Sequence, residues 1–180
     1  MSRKVTIHMV ASLDGFIAKH DGSVDWMQTN DNFPDGEVLS EEEVSQFLAG
    51  IDCYVMGSKT YEHALALGWP YGDTPVIVLT SRKLESMKSN VKFQNGNLKL
   101  VLDSMNAKKQ NIWVVGGASL VKDFLQQKLA DQIVITFLPI ILGGGITFFQ
   151  ELVIEQPLHL VDSRTFQDGT VELTYEIIKK

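Results

Sequence analysis

An apolar run that ends in two glycines and a helix start, at residues 112–119, constrains the fold of this chain more than any other stretch. Its sequence is Ile-Trp-Val-Val-Gly-Gly-Ala-Ser. Four consecutive apolar residues, partly β-branched, are typical of a central strand that is covered on both faces. The glycines permit a sharp turn and bring backbone N–H groups close to a bound group. Apolar residues at helical spacing follow, so the stretch predicts a strand, a turn and a helix.

The helix that begins after Gly117 would point its free N–H groups and its positive dipole end at the glycine turn. Such a helix start is a place where a phosphate group binds. A tight connection with no ligand is an equally good interpretation of this motif on its own. The G-x-G-x-x-G spacing of the usual dinucleotide-binding turn is absent, so the rest of the chain has to decide between the two.

Length and charge narrow the class of protein. The chain has 180 residues, of which 44% are hydrophobic and 21% charged, and these values predict one soluble globular domain that spans residues 1–180. The formal net charge of -6 argues against a nucleic acid or an anionic membrane as the partner. We therefore expect a small molecule to be the ligand.

Targeting, redox and metal signals point to a cytoplasmic protein. No apolar run approaches the roughly 20 residues of a membrane span, and residues 1–4 lead into a strand pattern and not into a signal peptide. The single cysteine, Cys53, lies in an apolar run and is expected to be a buried core residue. The four histidines show no metal-ligand spacing, so no metal site is predicted.

Residues 5–11 are predicted to form the first strand, and Asp14 and Gly15 mark a turn directly after it. Ligands of open α/β sheets collect at the carboxyl ends of central strands, which makes this turn a candidate substrate contact. A plain surface turn is the alternative. Residues 19–34 then form a long loop, in which Trp26 either closes over an aromatic ligand or fixes the loop to the core.

A helix is predicted to begin at Ser40, with Glu43 reaching back to complete the cap. Two more strands, at residues 53–56 and 76–79, end in glycine, hydroxyl or basic residues, which suit phosphate binding. The residues that follow the two strands are Gly57, Ser58, Lys59 and Thr60, and Thr80, Ser81 and Arg82. Three strand ends of this kind in one chain favour a phosphate-bearing ligand.

Further elements are predicted from the remaining patterns. Residues 98–102 indicate a strand, residues 104–110 a short helical connection, and residues 133–138 another buried strand. The three glycines at 143–145 have apolar flanks, which favour a turn that packs against something. Residues 158–166 and 171–178 indicate a hairpin whose second strand alternates like a half-exposed edge, and a second copy of the chain covering that edge would give a homodimer.

The motifs, taken in order, resemble the dihydrofolate-reductase-like superfamily. More specifically, they resemble the reductase domain that forms the C-terminal half of the bifunctional riboflavin-biosynthesis deaminase-reductase. The matching segments are 12–18 (Ser-Leu-Asp-Gly-Phe-Ile-Ala), 55–62 (Val-Met-Gly-Ser-Lys-Thr-Tyr-Glu), 78–82 (Val-Leu-Thr-Ser-Arg), 114–120 (Val-Val-Gly-Gly-Ala-Ser-Leu) and 139–145 (Pro-Ile-Ile-Leu-Gly-Gly-Gly). The zinc-deaminase signature of that protein's other half is absent, so the resemblance is to the reductase domain alone.

The resemblance implies an α/β fold of three layers, with a mixed, mostly parallel central sheet, flanking helices and a C-terminal antiparallel hairpin. It also implies NADPH as cofactor, laid across the carboxyl ends of the strands. Phosphate contacts are implied for Gly57, Ser58, Lys59 and Thr60, 2′-phosphate contacts for Thr80, Ser81 and Arg82, and pyrophosphate contacts for Gly116, Gly117, Ala118 and Ser119. The backbone around Val10, Ala11, Ile17 and Ala18 is implied to face the nicotinamide. If Lys59 and Arg82 both bind the 2′-phosphate, NADPH is favoured over NADH by about two to four powers of ten.

The implied activity is that of 5-amino-6-(5-phosphoribosylamino)uracil reductase, with hydride transfer to a small pyrimidine- or pterin-like heterocycle. Dihydrofolate reductases carry an acid after the mobile loop, and Asp31 and Glu43 are the nearest candidates for it here. Asp14 and Trp26 are candidate substrate contacts. The alternatives are a dihydrofolate-reductase-like activity, or a nucleotide-binding module that has lost the chemistry.

Overall fold

The computed structural model describes residues 3–105, 111–153 and 155–179. Its four helices are α1 (Glu41–Ala49), α2 (Ser58–Ala66), α3 (Leu98–Ser104) and α4 (Ala118–Gln126). Its strands are β1 (Lys4–Ser12), β2 (Phe16–Ala18), β3 (Cys53–Gly57), β4 (Val76–Leu79), β5 (Val91–Gln94), β6 (Asn111–Gly116), β7 (Gln132–Leu138), β8 (Ile146–Thr147), β9 (Leu158–Thr165) and β10 (Val171–Ile177).

Eight strands form one sheet in the order β5-β4-β3-β6-β1-β7-β10-β9. The strands from β5 to β7 are parallel, and β10 and β9 add an antiparallel hairpin at one edge. A second, two-stranded antiparallel sheet pairs β2 with β8. The mixed, mostly parallel sheet with flanking helices confirms the predicted fold class.

The two faces of the sheet carry separate apolar cores. One core packs α3 and α4 against the alternate residues of the central strands, including Ile7, Val55 and Val114. The other packs Tyr61 and Ala64 of α2 against the opposite face of β3 and β4. Cys53 is fully buried in the first core, as predicted. Among the helices of the described ranges, none combines the length and apolar character needed to cross a bilayer.

The prediction of a strand at residues 98–102 is wrong, because this segment is the start of α3. The side chain of Asn97 accepts hydrogen bonds from the backbone N–H groups of Lys99 and Leu100, which caps the helix. Leu98, Val101 and Leu102 are buried at helical spacing. The strand in this region is instead β5. Of the predicted helical connection at 104–110, Ser104 ends α3, and residues 106–110 lie outside the described residues.

The prediction of an exposed edge at the last strand is also wrong. β10 lies inside the sheet, between β7 and β9, and the edge strand is β9. All of β9 is exposed except Arg164, which is partly buried. The residue alternation of β10 arises because one of its faces packs on the core through Leu173 and the other carries polar residues such as Glu172. A second copy of the chain that covers the edge stays a prediction.

Helix α1 begins as predicted, with both halves of a capping box between Ser40 and Glu43. Glu43 accepts hydrogen bonds from the Ser40 backbone at 2.8 Å and from its hydroxyl at 2.7 Å. Every residue of α1 is exposed. Phe47 nevertheless contacts the sheet, where its ring lies 5.0 Å from that of Trp113.

Candidate functional site

A cleft of about 1190 Å³ opens at the carboxyl ends of the parallel strands, where α2 and α4 begin. Its wall brings together most of the residues expected to bind a cofactor. Those that line it are Val10, Ile17, Ala18, Gly57, Ser58, Lys59, Thr60, Thr80, Ser81, Gly117, Ala118 and Ser119. Ala11, Arg82 and Gly116 do not line it. The segments that carry them, 10–11, 80–82 and 116–119, nevertheless border the cleft.

The helices that begin at the cleft differ from the other two in how they are capped. α2 starts after Gly57 and α4 after Gly117, and neither helix start has a side-chain hydrogen bond. By contrast, Ser40 caps α1 and Asn97 caps α3. The first N–H groups of a helix need acceptors, and an uncapped helix start leaves them for a ligand. Two such helix starts therefore face one cleft.

The two glycines between β6 and α4 have different requirements. Gly116 has a φ of 109°, which strains any residue with a side chain, and a Cβ built on it would lie 2.7 Å from the Met9 Cε atom, so the end of the Met9 side chain would also have to move. Gly117 has an ordinary φ of -67°. The nearest atom to a Cβ on Gly117 would be the Thr60 hydroxyl oxygen, 3.9 Å away. Gly116 is thus required by the fold, and Gly117 keeps the helix start open to the cleft. The peptide bond between them is cis.

The turn after β4 is held by a local hydrogen bond and an ion pair. The Arg82 backbone N–H donates to the Thr80 hydroxyl oxygen at 3.0 Å. The Arg82 guanidinium donates two hydrogen bonds to the Glu62 carboxylate, at 2.7 and 3.1 Å. This pairing raises the pKa of Arg82 and lowers that of Glu62. Because Glu62 lines the cleft, the pairing keeps the Arg82 cation at the cleft rim.

Ala11 is fully buried on the core face of β1 and does not line the cleft. Val10 is partly buried on the opposite face and lines the cleft. Ile17 and Ala18 belong to β2, which pairs with β8 after the triple glycine. That the backbone of these residues faces the nicotinamide stays a prediction.

Asp14 does not line the cleft. Its carboxylate accepts hydrogen bonds from the Ser12 hydroxyl at 2.7 Å and from the backbone N–H groups of Leu142 and Gly143 at 3.0 and 2.8 Å. These bonds lower the pKa of Asp14, the one from Ser12 most. Asp14 therefore joins the turn after β1 to the triple-glycine turn, and both of its carboxylate oxygens accept hydrogen bonds there. The triple-glycine turn packs against the rest of the protein, as predicted.

Trp26 is buried, with 6% of its surface exposed, so the interpretation that it fixes the loop to the core is the one the structure supports. Its indole N–H is buried and has no hydrogen-bond acceptor among the described residues. The neighbouring Met27 lines the cleft. The loop thus contributes a side chain to the cleft next to a buried tryptophan.

The two candidate acids lie away from the cleft wall. Asp31 is exposed and packs beside Gly169 in the β9–β10 turn. Glu43 is part of the cap of α1, and its hydrogen bonds with Ser40 lower its pKa. A carboxylate whose pKa is lowered and which already accepts two hydrogen bonds is a poor proton donor.

One group of residues, which lies on the sheet face beside the cleft, was not identified from the sequence. His8 lines the cleft, and its ring stacks on Trp113 with centroids 4.4 Å apart and an angle of 30° between the planes. Its Nε2 atom lies 3.7 Å from a carboxylate oxygen of Glu172, which also accepts a hydrogen bond of 3.2 Å from Thr136. The feature of the sequence that could have identified this group is a histidine within a mostly apolar strand.

Metal ligation has no candidate in the part of the chain that the structure describes, where no three His, Cys, Asp or Glu side chains are grouped suitably. The cleft offers backbone N–H groups, hydroxyls, one lysine, three imidazoles (His8, His20 and His63) and three carboxylates (Asp21, Glu62 and Asp123). These groups suit a phosphate-bearing ligand with a polar ring system.

The family model described as the RibD C-terminal domain matches residues 3–172. The chain belongs to the RibD C-terminal domain family. This confirms the resemblance to the riboflavin-biosynthesis reductase domain, and membership of the family supports an oxidoreductase.

Known proteins and solved structures match along almost the whole chain. YwjB of Bacillus subtilis strain 168, a protein of uncharacterised function, is 36% identical over 178 residues, which are 97% of this chain and 98% of YwjB. A crystal structure named "Putative riboflavin biosynthesis protein", from Shewanella sp. PV-4, is 29% identical with a TM-score of 0.82, over 98% of this chain and 99% of that one. Dihydrofolate reductase from Enterococcus faecalis, solved with NADP(H), shares the fold at 17% identity, with a TM-score of 0.63 and coverage of 98% and 97%.

Proposed function

We propose that this RibD C-terminal domain protein is an NADPH-dependent reductase that reduces a small pyrimidine- or pterin-like heterocycle. The observation that carries the proposal is the pair of uncapped helix starts, at Gly57 and Gly117, that open into one cleft. The proposed activity resembles that of 5-amino-6-(5-phosphoribosylamino)uracil reductase.

The cleft residues fit a dinucleotide. Its two phosphates need several hydrogen-bond donors at close range, and the α2 and α4 helix starts supply backbone N–H groups for both. Ser58 and Thr60 add hydroxyls, and Lys59 adds a positive charge. A volume of about 1190 Å³ exceeds that of most single-ligand pockets and leaves room for a substrate beside the cofactor.

Two cations support the choice of NADPH over NADH. Lys59 lines the cleft, and Arg82 is held at its rim by Glu62. Charge-assisted hydrogen bonds to a 2′-phosphate from both side chains give a preference of about two to four powers of ten. The cofactor supplies a hydride from its nicotinamide, and the protein positions the two rings and excludes water from between them.

A titration with NADPH, followed by tryptophan fluorescence and with NADH as the control, tests the proposal. Trp113 is the expected reporter because it stacks on His8, which lines the cleft. We expect tight binding of NADPH and much weaker binding of NADH. In Trp113→Phe we expect the fluorescence signal to be lost, while NADPH binding, measured by calorimetry, is retained. Equal affinity for the two cofactors contradicts the assignment of Lys59 and Arg82. Binding of neither contradicts the reductase and favours a module without this chemistry.

A further inference from the structure

The proposed reduction needs a proton as well as a hydride, and His8 is placed to provide it. Side chains two residues apart on a strand share a face and are separated by about 6.5 Å. The side chains of His8 and Val10 therefore project from the same face of β1 as neighbours. The backbone of Val10 is expected to face the nicotinamide. Both residues line the cleft. The inference rests on the proposed function, since it concerns the substrate side of the same cleft.

The His8 ring is fixed from two directions. The stack on Trp113, at 4.4 Å, holds the plane of the imidazole, and Phe47 of α1 packs edge-on against that indole at 5.0 Å. The Glu172 carboxylate lies 3.7 Å from Nε2, and both side chains of this pair are 23% exposed. Because Nε2 lies beside Glu172, Nδ1 is the ring nitrogen assigned to the substrate in the proposal below.

Glu172 is itself held in the charged form. His8 lowers the pKa of Glu172 most, and Thr136 and Arg164 add to the effect, against the opposing effect of burial. Arg164 pairs with Glu172 across the β10–β9 ladder. Arg164 also forms an ion pair with Glu37. The negative charge of Glu37 offsets the positive charge of Arg164, which therefore has less effect on His8.

Other titratable groups near His8 come from several elements. Glu43 at the start of α1 interacts with Arg164 and not with His8. Further along the cleft wall stand titratable residues of the loop after β2, of α2 and the loop that follows it, and of α4: His20, Asp21, Lys59, Glu62, His63, Tyr71 and Asp123. The carboxylate beside His8 is that of Glu172, 3.7 Å from Nε2.

We propose that His8, as an imidazolium held by Trp113 and Glu172, is the proton donor of the reduction. A C=N bond of the substrate accepts a hydride from NADPH at carbon and a proton from His8 Nδ1 at nitrogen. The product carries a CH–NH unit, the cofactor leaves as NADP⁺, and His8 is left neutral. The ring then regains its proton from solvent through the open side of the cleft. A histidine suits this role because its ordinary pKa lies near the working pH.

The first arm of the test is NMR of the imidazole resonances, which needs no turnover. His8 is assigned by the resonance that disappears in His8→Gln, and the spectrum is recorded with and without NADPH. We expect the His8 resonances to shift when NADPH binds and again in Glu172→Gln, because His8 lines the cleft and Glu172 lies beside its ring. Gln at position 172 keeps the size of the side chain and a carbonyl acceptor for Thr136. His8 resonances that NADPH leaves in place overturn the proposal.

The second arm measures NADPH oxidation with 5-amino-6-(5-phosphoribosylamino)uracil and with a dihydropterin as probes. His8→Gln is expected to lower kcat by about two to four powers of ten, while the Kd for NADPH stays within about twofold. The wild-type kcat is expected to fall at alkaline pH, as for any general acid, and this fall is expected to be absent from the residual activity of His8→Gln. His159→Gln is the matched control, since this histidine lies exposed on β9 and outside the cleft.

The outcomes separate this inference from the proposed function. A His8→Gln variant that binds NADPH and reduces the probe at the wild-type rate overturns the role of His8 and leaves the reductase intact. A wild-type protein that binds no NADPH overturns the reductase. If the wild-type protein reduces neither probe, the NMR arm decides whether His8 lies beside the bound cofactor.

Discussion

The carboxylate of Asp14 accepts a hydrogen bond of 2.8 Å from the backbone N–H of Gly143, which lies 129 positions later in the chain. A second bond, of 3.0 Å from Leu142, and a third, of 2.7 Å from the Ser12 hydroxyl, complete the contact. These bonds join the turn after β1 to the triple-glycine turn. That turn leads into β8, which pairs with β2. Asp14 does not line the cleft itself, but it stabilises the wall of the cleft that β2 and β8 form.

Asp14→Asn is expected to lower the stability of the fold at neutral pH and to weaken its acid dependence. Hydrogen bonds to the charged form lower the pKa of Asp14 from its ordinary value of 3.8. A lowered pKa in the folded state adds stability that is fully present above the unfolded pKa and is lost as pH falls through the folded pKa. Urea midpoints measured from neutral pH to below 3.8 test this. A variant with the acid dependence of the wild type, or Asp35→Asn in the exposed loop behaving identically, contradicts it.

Ser12→Ala is expected to lower the free energy of unfolding by about 1 to 3 kcal/mol. The Ser12 side chain is fully buried, donates to Asp14, and accepts a hydrogen bond of 3.0 Å from the Phe16 backbone N–H. Its removal leaves that N–H without this acceptor and Asp14 without its strongest partner. Chemical denaturation measures the loss, and Ser45→Ala on exposed α1 is the control. Equal losses for the two variants would show that the buried hydroxyl adds no stability.

Alanine at each of the two adjacent glycines is expected to have a different effect. Gly116→Ala places a methyl group against Met9 at a φ of 109° and should cost about 1 to 3 kcal/mol of stability. Gly117→Ala adds a methyl group with no neighbour closer than 3.9 Å, so the stability should change little. That methyl group stands at the start of α4, where the pyrophosphate is expected, and should weaken NADPH binding by about tenfold or more. Thermal denaturation and cofactor titration of both variants give the comparison, and the reverse pattern would contradict the roles assigned to the two glycines.

Arg82→Ala is expected to raise the Kd for NADPH by about one to two powers of ten and to leave the Kd for NADH within about twofold. The reason is that only NADPH carries the 2′-phosphate that Arg82 is proposed to bind. Glu62→Gln removes the partner that holds the guanidinium in place, so it should have a smaller effect in the same direction. Lys83→Ala, at the next position, is the control. A parallel loss of affinity for both cofactors would place Arg82 elsewhere on the dinucleotide.

The strand ends of the cleft could be predicted from the sequence because each depends on local signals. Glycine after an apolar run and a hydroxyl at the helix start identify the segments at 57–60 and 116–119 without knowledge of the sheet order. The prediction of a strand at 98–102 failed because leucine recurs at every second position of Leu-Lys-Leu-Val-Leu, as it can in a strand. The cap from Asn97 and the burial of one helical face make the segment a helix. Local alternation could not distinguish the two structures.

The substrate side could not be predicted for a different reason. His8 and Glu172 lie at opposite ends of the chain, and they meet because β7 places β1 and β10 on either side of itself. That order is a property of the whole sheet, and no local pattern encodes it. Trp26 shows the same limit, since its burial depends on what the loop packs against.

Cys53 gives this protein an internal reporter of core opening. Its thiol has no exposed surface, and it lies in the core between the central strands and the helices α3 and α4. Alkylating reagents can therefore reach the sulfur only when this core opens, so the labelling rate measures how often that happens. Because β3 leads directly into the α2 helix start, any ligand that binds there should slow the labelling, whatever its chemical identity.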